Sequence, residues 1–112
     1  MKRLFLMATL VCASAWAHHG WSEYDAAKPL ELTGTIQQSG YENPHGYVDL
    51  KTADKAWHVV LAPPARMDSR GLSKAMLADG TSVTVYGYPH RSKSGELRAE
   101  RITIAGKATE LR

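Results

Sequence analysis

From Leu4 to Ala13 the chain is apolar almost without a break, with only Thr9 interrupting it. Beyond residue 17 no such run returns, and the pattern changes. Leu30, Leu32, Gly34 and Ile36 alternate with Glu31, Thr33, Thr35 and Gln37, and a period of two predicts a strand. Gly34 inside that strand predicts a bend or bulge. Asn43-Pro44-His45-Gly46 is turn chemistry, because proline presets its own backbone angle and glycine permits unusual ones. A second strand is predicted over Tyr47–Lys51, and Thr52–Lys55 reads as a turn. A third strand runs over Ala56–Ala62, with Trp57, Val59 and Leu61 on one face and His58 and Val60 on the other.

Pro63-Pro64 stops that strand. Residues 65–78 contain helix formers with Leu72, Met76 and Leu77 as an apolar stripe, and Gly71 divides them into two short turns. Asp79-Gly80 closes the segment. Val83, Val85 and Gly87 alternate with Thr84, Tyr86 and Tyr88 as a fourth strand, Pro89–Gly95 is a loop, and Leu97–Ile104 is a fifth strand. The apolar positions of this last strand pass from odd (Leu97, Ala99) to even (Ile102, Ile104), which predicts a bulge near Glu100. Three strands, a short helix and two strands are the element order of an OB-fold. The expected fold class is therefore all-β: a small five-stranded OB-like barrel with one short helix between strands 3 and 4.

The ends set the boundaries. Lys2 and Arg3 precede the apolar run, and Ala15-Trp16-Ala17 puts small residues three and one positions before a cut. The run is shorter than the roughly 20 residues of a membrane-spanning helix. Residues 1–17 read as a cleavable signal peptide, with a cut after Ala15 as the alternative to one after Ala17. The expectation is a soluble periplasmic protein with an N-terminal arm at 18–29, a barrel domain at 30–106 and a C-terminal tail at 107–112.

Cleavage changes the chemistry available. Cys12 is the only cysteine and leaves with the signal, so neither a disulfide nor a thiol ligand remains. Removing Lys2 and Arg3 from the 14 basic residues leaves 12 against 11 acidic ones. A nearly neutral domain has no electrostatic case for nucleic acid. There is no Gly-x-Ser-x-Gly elbow and no phosphate-cradling loop, so nothing points to an enzyme.

What remains is histidine, five residues of it, all past position 17. A cut after Ala17 places His18 and His19 at the front. A free N-terminal histidine offers its amine and ring nitrogen to one ion, and His19 adds a second imidazole with an ionisable amide between them. Such nitrogen-rich sites favour Cu(II) over Ni(II) and Zn(II). His45, held in a tight turn, is the candidate third ligand. His58, mid-strand, is expected to be a packed structural residue and His90 a solvated loop residue. Met67 and Met76 are expected as core filler rather than as thioether ligands. Tyr41, Tyr47, Trp57, Tyr86 and Tyr88 resemble the stacking platforms of OB-folds that hold single strands, a use that export and near-neutral charge argue against.

His18-His19, Tyr24-Asp25, Lys28, Leu32-Thr33-Gly34-Thr35, Asn43-Pro44-His45, Trp57, Pro63, Gly80, Val83-Thr84-Val85 and Gly87-Tyr88-Pro89 together resemble one family. It is a domain-of-unknown-function family of small bacterial exported proteins with a His-His mature N-terminus and an Asn-Pro-His turn. The resemblance covers nearly the whole chain after the signal. Tyr41, Gly71-Leu72 and His90 depart from the family pattern. It implies export, a Gram-negative periplasm and an OB-like barrel, and carries no established activity.

Two functions follow as expectations. The first is a small periplasmic metal-binding protein using His18, His19 and His45, with copper as the ion. The second is a non-metal binding module that holds a peptide, glycan or small ligand on the aromatic face between the loops at 40–46 and 89–95. An oxidative copper enzyme with a histidine brace stands behind both, because the chain lacks an extended substrate surface.

Overall fold

The structure, a computed structural model, describes residues 20–112. The signal peptide, both cut sites and His18-His19 lie outside the described residues. Among the described residues six strands form one sheet: β1 (Leu30–Gly40), β2 (Tyr47–Lys51), β3 (Ala56–Val60), β4 (Ser82–Pro89), β5 (Glu96–Ile104) and β6 (Lys107–Glu110). The order is β3-β2-β1-β4-β5-β6, and a further parallel pairing of β3 with β5 closes the first five strands into a barrel. This is the OB-fold that the element order predicts.

β1 serves two neighbours. Leu30–Thr35 pairs with β4, and Thr35–Gly40 pairs with β2. At the crossover sits Gly34, where a Cβ would overlap the backbone carbonyl of Lys51. Glycine is required there because two backbones approach too closely for a side chain. The bulge of β1 lies not at Gly34 but three residues on: Ile36 pairs with Leu50 and Gln38 with Asp49, leaving Gln37 as the extra residue. The bulge of β5 falls at Glu100, between Ala99 opposite Gly87 and Arg101 opposite Tyr86. That is where the odd-to-even change in apolar positions puts it.

One short helix, α1 (Pro64–Ser69), follows β3. Pro64 stands at its first turn, where a missing N–H costs nothing. Gly71 ends it with φ of +84°, and Leu72 N–H bonds to Met67 O while Gly71 N–H bonds to Asp68 O. These two bonds make a Schellman stop. A 3-10 turn at Lys74–Leu77 completes the segment, so Gly71 does divide it into two short pieces. Met67, Leu72 and Leu77 are fully buried and Met76 packs partly buried against the same core. Both methionines are core residues.

Val48, Leu50, Val59, Leu61, Val85, Leu97, Ala99 and Ile102 fill the barrel. Residues 107–112, expected as a tail, add β6 to the outside of β5 and return Leu111 to the core. The connecting turn, Ala105-Gly106, has positive φ at both residues, as a tight hairpin requires. Among the described residues no helix is long and apolar enough to cross a membrane.

Candidate functional site

The arm before β1 folds back onto one end of the barrel. A 3-10 turn at Trp21–Glu23 leads to Tyr24, which is buried and forms an isolated antiparallel bridge with His90. Asp25 N–H donates to Pro89 O, Arg91 N–H to Glu23 O, and the Tyr24 hydroxyl to Glu96 Oε2 at 2.7 Å. Burial, then the Glu96 carboxylate, pushes the Tyr24 phenol well above its ordinary pKa, so it remains a donor.

His90 is therefore not a solvated loop residue. Its ring lies edge-on to Tyr24, 5.1 Å between centroids, and its Nδ1 accepts the backbone N–H groups of Ser92 and Lys93. Those two bonds shape the β4–β5 loop that receives the arm.

His45 follows the Asn43–Pro44 turn and is fixed from the other side by Gly46. Gly46 N–H donates to Ala62 O and Gly46 O accepts from Leu61 N–H. A Cβ at Gly46 would meet Met67 Cε at 2.5 Å, so the turn closes directly onto the end of a core methionine of α1. Arg98 Nη2 lies 3.3 Å from His45 Nε2. A guanidinium only donates, so Nε2 accepts and the ring proton stays on Nδ1. Burial, then the charges of Arg98 and Arg66, lower the His45 pKa and keep the ring neutral.

Arg98 joins the turn to the arm. It is buried, its guanidinium carbon sits 4.5 Å from the centre of the Trp21 ring, and its Nε has no hydrogen-bond partner among the described residues. Arg112 also lies 4.5 Å from the Trp21 ring centre and pairs with Glu100, which accepts the Tyr88 hydroxyl at 2.8 Å. Trp21 meets Tyr88 edge-on at 6.1 Å. A cleft of about 270 Å³ lined by Trp21, Tyr24, Tyr88, Arg91 and Arg112 runs beside the arm.

The predicted residues thus divide. The structure brings His45 and the arm to one end of the barrel and turns His90 toward Tyr24. Among the described residues no group of three or more His, Cys, Asp or Glu side chains converges as a metal site. His58, expected to be packed, is instead exposed on the outer face, where its Nδ1 lies 2.7 Å from Asp49 Oδ1. Arg98 gave no sign in the sequence: it falls between inward Leu97 and Ala99, and its guanidinium lies under the Trp21 ring and against His45.

A model of a family of unknown function, DUF6152, matches residues 7–98. The chain belongs to that family. The family resemblance carried by the Asn-Pro-His and Thr-Gly-Thr segments thus agrees with a domain of unknown function. No curated protein matches this DUF6152 chain. Among solved structures it is similar to TiaS in complex with an isoleucine tRNA and ATP, at 21% identity and TM-score 0.55, over 80% of this chain and 20% of that one. The Stn1–Ten1 complex of S. pombe aligns at 16% identity and TM-score 0.56, over 70% and 59%. Asparaginyl-tRNA synthetase from Pyrococcus horikoshii, bound to asparaginyl-adenylate, aligns at 14% and TM-score 0.53, over 76% and 20%. The DUF6152 chain spans less than two thirds of each, and at these identities the likeness is one of fold.

Proposed function

We propose that this protein is a small periplasmic copper-binding protein whose primary ligands are the His18 amine and ring with the His19 imidazole, and whose candidate third imidazole is His45. One observation carries the reading: the arm is docked, with Trp21 on Arg98 and Arg98 on His45. Three residues of extended chain span at most about 10 Å, and the proposal sets the chelate within that reach of the docked Trp21. A neutral His45 ring is competent to ligate.

Charge orders the ligands. Arg66 and Arg98 act on His45 and oppose a cation there. For Nε2 to ligate, Arg98 must release its lone pair. The N-terminal chelate therefore holds the ion and His45 adds a smaller increment.

Titration calorimetry with Cu(II) on protein beginning at His18 tests this. His18→Ala, or one extra residue before His18, abolishes tight binding, His45→Ala weakens it, and His58→Ala leaves it unchanged. Equal affinity across parent and variants means adventitious binding and ends the reading. A non-metal module is the second reading, favoured by the arginine-rimmed aromatic cleft beside Trp21 and Tyr88.

A further inference from the structure

A different face of the barrel holds a second arrangement that is independent of the copper reading and gives the non-metal reading a site and a ligand class. A cavity of about 480 Å³ opens on the outer surface of β1–β3, against the loop before β5, lined by Gln37, Gln38, Asp49, Trp57, His58 and Ser94 among others. That volume lies within the range of small-ligand sites.

The bulge at Gln37 builds it. Unbroken alternation after buried Ile36 would expose Gln37 and turn Gln38 inward, whereas both glutamines are exposed. The bulge re-aims a side chain, as bulges beside binding sites do. Gln38 Nε2 then donates to Asp49 Oδ2, and His58 Nδ1 donates to Asp49 Oδ1 at 2.7 Å. The Tyr47 ring lies 5.0 Å from the His58 ring, tilted by 35°, and steadies it.

This chain of bonds fixes the chemistry on offer. With Nδ1 committed to Asp49, His58 presents Nε2 on the opposite side of the ring, open to a ligand. With an amide proton committed to Asp49, Gln38 keeps Oε1 as an acceptor. Gln37 and Ser94 add groups that both donate and accept.

The same inventory excludes other ligands. No Lys or Arg lines the cavity and its one acid is Asp49, so a phosphate-bearing ligand gains nothing there. The Asp49 charge already takes two donors, which weakens its claim on a cation. Lys55 Nζ sits 4.3 Å above the Trp57 ring and already holds that π-face. An apolar ligand would strand the amides and the imidazole. Dense, mixed donors and acceptors around one hydrogen-bonded carboxylate match the hydroxyl array of a sugar.

We propose that the outer cavity formed by Gln37, Gln38, Asp49, His58 and Ser94 is a binding site for a neutral saccharide. A second cavity of about 380 Å³ also includes Trp57 in its lining, which favours a ligand longer than one sugar unit.

The test is a ¹H–¹⁵N titration of the protein beginning at His18 with three neutral trisaccharides: maltotriose, cellotriose and chitotriose. At least one shifts the amides of Gln37, Gln38, Asp49 and His58 and leaves those of His45 and Arg98 in place. Replacing both exposed glutamines, Gln37→Ala with Gln38→Ala, weakens that binding about tenfold, or about 1.4 kcal/mol. His18→Ala leaves it unchanged, which separates this site from the copper reading. The proposal is overturned if no trisaccharide moves these amides at about 10 mM, if the shifts fall at the Trp21 cleft instead, or if the double variant binds as the parent does. It is equally overturned if a thymidine oligonucleotide occupies the cavity and the saccharides do not.

Discussion

Arg98 holds the one lone pair through which His45 can act: its Nη2 stands 3.3 Å from Nε2. The contact exists only while the imidazole is neutral, because a protonated ring has no acceptor and meets Arg98 as a like charge. Proton and guanidinium compete for the same nitrogen.

Stability should therefore depend on pH through His45. Its pKa is lowered on folding from the ordinary value of 6.5 by burial and by Arg98 and Arg66. The unfolded chain then takes up the proton first as pH falls, so the contribution is full above about 6.5 and is lost below it. Urea midpoints at about pH 7.5 and about pH 5.5 should differ for the parent and differ less for His45→Gln. An equal drop in both would remove His45 as the source.

The arm is held by a phenol. Tyr24 is 5% exposed and donates to the Glu96 carboxylate at 2.7 Å. Tyr24→Phe keeps the ring packing and removes the bond, at a cost of about 1.5–3 kcal/mol for a hydrogen bond to a charged group. Hydrogen exchange should quicken first at Asp25 and Arg91, whose N–H groups bond across the same junction.

Gly87 should accept no substitution. A Cβ there overlaps the carbonyl of Arg98 and the Cα of Ala99 on the paired strand. Gly87→Ala must part β4 from β5 next to the Glu100 bulge, and the variant should be unfolded or insoluble. Gly80→Ala is the control for alanine at a turn: nothing lies within 4 Å, but φ of +87° still carries strain. It should fold, with a loss of about 1–2 kcal/mol, measured by thermal melting.

How much of this was legible follows from what periodicity can report. Alternation gave β1 to β5 because each has one face in the core, and the phase change after Ala99 gave the Glu100 bulge. Gln37 was harder: a bulge between two polar residues leaves the apolar pattern intact, and Gly34 drew the bend instead. β6 was missed because Lys107-Ala108-Thr109-Glu110 carries little apolar signal, although Gly106 and buried Leu111 bracket it. His58 was expected to be packed because it adjoins Trp57, yet neighbours in a strand face opposite ways and its side is open. Buried Arg98 lies under Trp21, 77 residues earlier in the chain, and against His45, 53 residues earlier, and no local window contains them together.

Leu111 measures what β6 contributes. It is 2% exposed and belongs to the barrel core. Leu111→Ala should cost about 2–5 kcal/mol, the range for truncating a buried leucine, whereas a frayed tail would cost almost nothing. Denaturant unfolding decides between these.

The junction at Tyr24 also sets an order of events. Residues 20–25 leave the ribosome before any strand exists, and the partners that hold Trp21, Tyr24 and Asp25 on the barrel, from Tyr88 to Arg112, are made more than sixty residues later. Chains emerge N-terminal end first, so the arm must wait, undocked, through the synthesis of β1 to β4. The end of the molecule that is made first is among the last to find its place.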